Sequence, residues 1–137
     1  MPDLNIASFE DFLRAARQQP EPQRLLFVFT GAELPEGSTP AQRARFAAGE
    51  SGALVPLMCV DKTPDELTTF AALAEESRAS GPDWAIVFVA GLGGRNGRAP
   101  THEDAEAPLQ RMVDAIKAGS HGSFIPFDRA GQPVRFE

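Results

Sequence analysis

The residues with chemistry to offer fall in three short stretches. Gly91-Leu92-Gly93-Gly94-Arg95-Asn96-Gly97-Arg98 is the richest. The amides of Gly93 and Gly94 and the guanidinium groups of Arg95 and Arg98 are the parts from which a phosphate or carboxylate cradle is made. The spacing is not that of a dinucleotide fingerprint, whose glycines turn from a first strand directly into a helix, and the chain contains no G-x-x-x-x-G-K-[ST] run. A surface loop with solvated arginines has the same composition. Asp61-Lys62-Thr63 sets an acid, an amine and a hydroxyl at the end of an apolar run. That suffices for a general acid–base pair or a phosphoacceptor aspartate, and it equally suits the entrance of a helix that Thr63 caps. Thr30-Gly31 closes another apolar run and is the third candidate.

Cys59 lies inside an apolar run and reads as a small buried hydrophobe, because a reactive thiol wants exposure and a neighbouring cation, for which only Lys62 is near. His102 and His121 bracket a helix and stand roughly two dozen ångströms apart at its rise per residue, so they cannot share a metal. Either reads as solvated or acts alone as an acid or base. Glu103, Asp104 and Glu106 crowd a helix start, where the dipole favours carboxylates whatever the function. No G-x-S-x-G nucleophile elbow occurs. No metal or cofactor is expected.

The elements that must position these residues follow from apolar spacing. Phe9, Phe12, Leu13 and Ala16 form a helical stripe over Ser8 to Arg17, capped by Ser8 with Asp11 three residues on. Leu25 to Phe29 is apolar throughout and predicts a strand buried on both faces. A short helix is expected from Thr39-Pro40 to about Ala48, stopping at Gly49. Ala53 to Val60 is a second strand, and Pro56 places it at a sheet edge or a bulge. Thr63-Pro64-Asp65-Glu66 opens a helix with Leu67, Phe70, Ala71 and Ala74 buried and Gly81-Pro82 at its end. Trp84 to Ala90 is a third strand, and Gly91 to Pro100 reads as a loop. Thr101 and Asp104 cap a helix with the stripe Leu109, Met112, Val113 and Ile116, and Pro108 predicts a kink or a later start near Ala107. Ser123 to Phe127 and Val134 to Phe136 are short strands about a turn in which Gly131 takes a left-handed conformation.

Helices alternating with strands predict an α/β three-layer sandwich with a mostly parallel sheet of order about 2-1-3-4, plus a C-terminal antiparallel hairpin strand, all in one domain over residues 1–137. In such a sheet ligands bind beyond the carboxyl ends of the strands, where Thr30-Gly31, Asp61-Lys62 and Gly93-Arg98 are expected to meet.

At 137 residues with 13 basic and 19 acidic side chains, the net charge of −6 excludes generic attraction to nucleic acid or anionic membrane. One cysteine excludes an internal disulfide framework. No apolar run reaches the length of a membrane span, and Met1-Pro2-Asp3-Leu4 opens no signal peptide, so a cytoplasmic protein is expected.

Leu25 to Phe29, the run from Ala53 through Val55-Pro56-Leu57-Met58-Cys59 to Pro64, and Trp84-Ala85-Ile86-Val87-Phe88-Val89 resemble a family of small proteobacterial proteins without established function, whose members are often labelled "ribonucleotide reductase subunit alpha". The resemblance brings no catalytic motif with it, since that reductase is a large radical barrel with several redox cysteines and this chain has Cys59 alone. With no strand end presenting nucleophile, base and stabiliser together, the leading expectation is a non-catalytic binding or regulatory module whose partner is another protein or a second copy. The alternative is a small-anion or nucleotide site, enzymatic or not, built from Thr30, Gly31, Asp61, Lys62, Gly93, Gly94, Arg95 and Arg98.

Overall fold

A computed structural model describes residues 8–33, 39–41, 44, 53–67, 69–81, 84–120, 122 and 124–134. The helix expected from Thr39 to Ala48, His121 and the strand from Val134 to Phe136 lie wholly or largely outside them. Helix α1 (Phe9–Arg17) begins where Ser8 accepts a hydrogen bond from the Asp11 amide, and it buries Phe9, Phe12, Leu13 and Ala16. Strands β1 (Gln23–Glu33) and β2 (Ala53–Lys62) follow. A 3₁₀ turn (Pro64–Glu66) leads to α2 (Phe70–Ser80), then to β3 (Ile86–Gly93), α3 (His102–Lys117) and β4 (Ile125–Asp128).

The sheet order is β2-β1-β3-β4, and each adjacent pair is antiparallel. The expected mostly parallel sheet is thereby overturned. A helix between two strands does not by itself fix their direction, as β3 and β4 show: α3 joins them, they are neighbours, and they pair antiparallel. Here the crossover from β2 through α2 to β3 passes over β1, which inserts between them and runs against both. The uninterrupted apolar strands report burial on two faces, a condition that parallel sheets usually meet and that this antiparallel one also meets.

Side-chain alternation divides the core in two. Leu25, Phe27 and Phe29 of β1 face α1 and α2, together with Val87, Val89, Phe127 and Trp84. Leu26 and Val28 face α3, whose Ala105, Met112 and Ile116 are buried against them and Phe88. On the first face Phe9 ties four elements together, its ring centre lying 6.2 Å from Phe27, 5.1 Å from Phe70 and 5.6 Å from Phe127. Trp84 is buried beside Phe29, and its indole N–H donates to Ser77 Oγ over 2.7 Å.

Three local expectations are revised. The Thr63 start yields a single 3₁₀ turn; α2 proper is capped by Thr69, so Leu73 is buried and Ala71 is exposed. Helix α3 starts at His102 and continues through Pro108, and Thr101 and Asp104 form a reciprocal capping box. Gly91, Leu92 and Gly93 belong to β3 rather than to a loop. Pro56 does mark both an edge strand and a break of register, opposite Thr30. Gly131 has φ 79° in the turn after β4, and Phe127 bridges to Pro133.

Candidate functional site

Because β1 runs against β2 and β3, the carboxyl ends of those two strands share one end of the sheet with the start of β1. Leu26 lies opposite both Asp61 and Ala90, and Gln23 opposite Gly93. Thr30 is four residues farther along, about 13 Å away at the strand rise. Thr30 and Gly31 are therefore separated from the other candidates. Thr30 is buried with its hydroxyl donating to the Ile86 carbonyl over 2.8 Å, a bond that joins β1 to the start of β3.

At the shared end, Asp61 is the organising group. Its side chain is 4% exposed and receives Arg24 Nε at 2.6 Å, while His102 Nδ1 lies 2.7 Å from its other oxygen. Arg24 also reaches the Pro100 carbonyl at 3.5 Å. Burial pushes the Asp61 pKa up, but the hydrogen bonds from His102 and Arg24 and their charges together outweigh it, so the net shift is downward. With Asp61 ionised, Nδ1 of His102 must carry the donated proton, which fixes the ring and turns Nε2 away from the carboxylate. The His102 side chain is 81% exposed at the first position of α3.

Sequence reasoning missed Arg24 altogether. In an antiparallel pair the start of β1 meets the end of β2, so a cation at one and an acid at the other become partners. Read as parallel strands, the same two residues stand at opposite ends of the sheet.

Lys62 does not join this cluster. Its ammonium binds both oxygens of Glu76 on α2, at 2.7 and 3.0 Å. Thr63 gives its amide and its hydroxyl to Glu66, and those two bonds hold the Glu66 pKa below its ordinary value.

Asp61 and His102 line an open groove of about 430 Å³ between β2 and α3, with Cys59, Glu103, Glu106, Leu109, Gln110 and Val113. Cys59 is exposed, against the expectation of a buried hydrophobe, although partial burial around its thiol pushes the pKa up. A thiol so placed stays protonated at neutral pH, and thiolate chemistry is not prepared there. Among the described residues no cluster of three or more His, Cys, Asp or Glu side chains could hold a metal.

The glycine–arginine stretch forms a tight hairpin. Arg95 and Arg98 exchange amide–carbonyl bonds of 3.0 and 2.9 Å around Asn96 and Gly97, whose φ values of 53° and 77° are those of a type I′ turn. The hairpin is anchored at two points: the Gly94 amide donates to the Pro22 carbonyl and the Gly97 amide to Glu21 Oε2, each over 2.8 Å. The amides of Gly94, Arg95, Gly97 and Arg98 are thus spent within the chain. A Cβ at Gly94 would run into the Arg98 carbonyl oxygen, so glycine is required there by close approach. Gly93, Gly94, Arg95 and Arg98 line a second open groove of about 890 Å³ together with Pro100, Thr101 and Asp104 from the approach to α3 and its first turn.

These features define a three-layer α/β domain with an antiparallel sheet and two grooves flanking the first turn of α3. No protein-family model, curated protein or solved structure matches the chain. Among the described residues, no helix is long and apolar enough to cross a membrane.

Proposed function

We propose that the chain is a non-catalytic binding module that takes an extended, basic segment of a protein partner along the outer edge of β2. The observation that carries this reading is the juxtaposition of an edge strand with an acid-lined groove. β2 runs for ten residues with β1 on one side and, among the described residues, no strand on the other. Leu54, Val55, Leu57, Met58 and Val60 are half-buried and Cys59 is exposed. An open strand edge offers backbone donors and acceptors to an added strand. Beside it, Glu103 and Glu106 line the groove into which alternate side chains of that strand would reach, and carboxylates there favour lysine or arginine. A binding role also fits the chemistry: His102 is oriented by Asp61, yet burial raises the pKa of the nearby Cys59 thiol, and among the described residues lining the groove no nucleophile is activated.

The test uses fluorescein-labelled peptides of alternating valine and lysine, with valine–glutamate peptides as the control. Saturable binding of the basic peptide, weakened by salt and by Glu103→Lys with Glu106→Lys, and slower alkylation of Cys59 in the complex are expected. Absence of saturable binding at millimolar peptide, or binding indifferent to those substitutions, overturns the reading. Should a second copy be the partner, light scattering at high protein concentration will return a dimer mass.

A further inference from the structure

We infer that the groove between the Arg95–Arg98 hairpin and the first turn of α3 binds a phosphorylated small molecule, its phosphoryl group on the two guanidinium groups and a hydroxyl on the Asp104 carboxylate. The inference rests on a different groove from the proposed peptide edge and stands or falls separately.

Residues that flank a two-residue turn and exchange both backbone bonds are directly opposite one another, so the Arg95 and Arg98 side chains leave the hairpin on the same face. Like charges so placed repel. The turn cannot relax by splaying, because the bonds from Gly94 to Pro22 and from Gly97 to Glu21 hold it against the start of β1. Both arginines are exposed, and among the described residues neither has an ion-pair partner, whereas Arg14, Arg24 and Lys62 each do. The Glu21 carboxylate sits on the Gly97 amide of the same turn, yet neither guanidinium is drawn into an ion pair with it, so both forks stay open to a ligand.

The first turn of α3 narrows the choice of ligand. Asp104 lines the groove, and its Oδ2 is occupied by the Thr101 amide at 2.9 Å in the capping box. Its charge opposes any anion in proportion to the charge that anion carries, so the hold must come from the bidentate match between guanidinium forks and an oxyanion rather than from the net field. A phosphate monoester carries about −1.5 to −2 at neutral pH and matches the guanidinium fork. The same carboxylate offers an acceptor to a ligand hydroxyl, which inorganic phosphate does not extend across the groove. The volume of about 890 Å³ lies in the range of small-molecule sites and far exceeds a lone phosphate. Leu92 and Pro100 supply apolar contact beside the polar groups. Recognition here comes from side chains, since the hairpin amides are already bonded.

Isothermal titration calorimetry of the full chain with ribose 5-phosphate, AMP, inorganic phosphate and ribose tests the assignment. Ribose 5-phosphate should bind at least tenfold more tightly than phosphate, and ribose should not bind. Arg95→Gln and Arg98→Gln should each weaken ribose 5-phosphate roughly tenfold or more, the loss of a hydrogen bond to a charged group. Both side chains are exposed, so an unchanged urea midpoint for each variant will show that folding is intact. Asp104→Asn keeps an oxygen for the cap and should erase the preference over inorganic phosphate. No saturable heat with any phosphorylated probe at millimolar concentration, or affinity unchanged in both arginine variants, overturns the site. A preference that survives Asp104→Asn overturns the hydroxyl contact.

Discussion

Replacing Asp61 by asparagine should destabilise the fold by about 2–4 kcal/mol at neutral pH, and the figure can be built from its neighbours. Asp61 is 4% exposed and Arg24 14%, so Asp61→Asn leaves a largely buried guanidinium without its counter-charge, held by a neutral amide oxygen and a long contact to the Pro100 carbonyl. Breaking a buried pair by removing one partner costs about 3–5 kcal/mol. The pair lies at the rim of the sheet, and asparagine retains an oxygen that can still accept from Arg24, which lowers the figure. His102 adds little, because its 81% exposed ring makes the kind of ion pair worth about 0–1 kcal/mol. Urea melts at fixed temperature give the difference directly, provided the slopes of the two proteins agree.

The pH dependence supplies an independent check. The folded-state pKa of Asp61 is depressed, so its contribution is present in full above the ordinary carboxylate pKa of about 3.9 and fades as pH falls through the lower folded value. The gap between wild type and Asp61→Asn should therefore shrink as pH falls through the acid range, below the ordinary carboxylate value. The double variant Arg24→Leu with Asp61→Leu should recover much of the loss, since no lone charge is left behind. A loss under about 0.5 kcal/mol for Asp61→Asn, or a double variant as unstable as the sum of two singles, would refute the reasoning.

Three further outcomes follow from geometry. Phe27→Ala removes a fully buried ring from the centre of β1 beside Phe9 and Phe29, and should cost about 3–5 kcal/mol in a denaturant melt. Ser77→Ala leaves the buried indole N–H of Trp84 without its acceptor and should cost about 1–3 kcal/mol; fluorescence of this single tryptophan follows the transition. Gly94→Ala drives a methyl into the Arg98 carbonyl and must open the hairpin, seen as faster amide exchange at Arg95 and Arg98, while Asn96→Gly leaves exchange there unchanged.

The local pieces were legible where a single residue type answers a single need. Ser8 and Thr101 cap helices as their spacing implies, Pro56 falls at an edge and a bulge, and Gly131 takes its left-handed turn. Strand direction was not legible, because Leu25 to Phe29 must be apolar in any sheet covered on both faces. That one error hid the meeting of Arg24 with Asp61 and misplaced Thr30 and Gly31. Thr63 satisfied every requirement of a helix start and produced one 3₁₀ turn, since Thr69 competes six residues later with its own cap to the Ala72 amide. In the glycine–arginine stretch, Asn96-Gly97 is the hairpin signal, and a reading of Gly91 to Pro100 as a loop passes over it.

The insertion of β1 between β2 and β3 also sets the order in which this chain can acquire its fold. Phe27 must find Val89 before the centre of the sheet exists, and β4 reaches that centre only through β3. As the polypeptide leaves the ribosome, β1 and β2 emerge with apolar side chains on both faces while α2, β3 and α3, which cover or flank them, are still unsynthesised. Helix α1 is already made, but it shields one face. Leu26 and Val28 thus lack the cover of Ala105, Met112 and Ile116 until α3 has been made, and exposed apolar surface of that kind is where a nascent chain is open to aggregation.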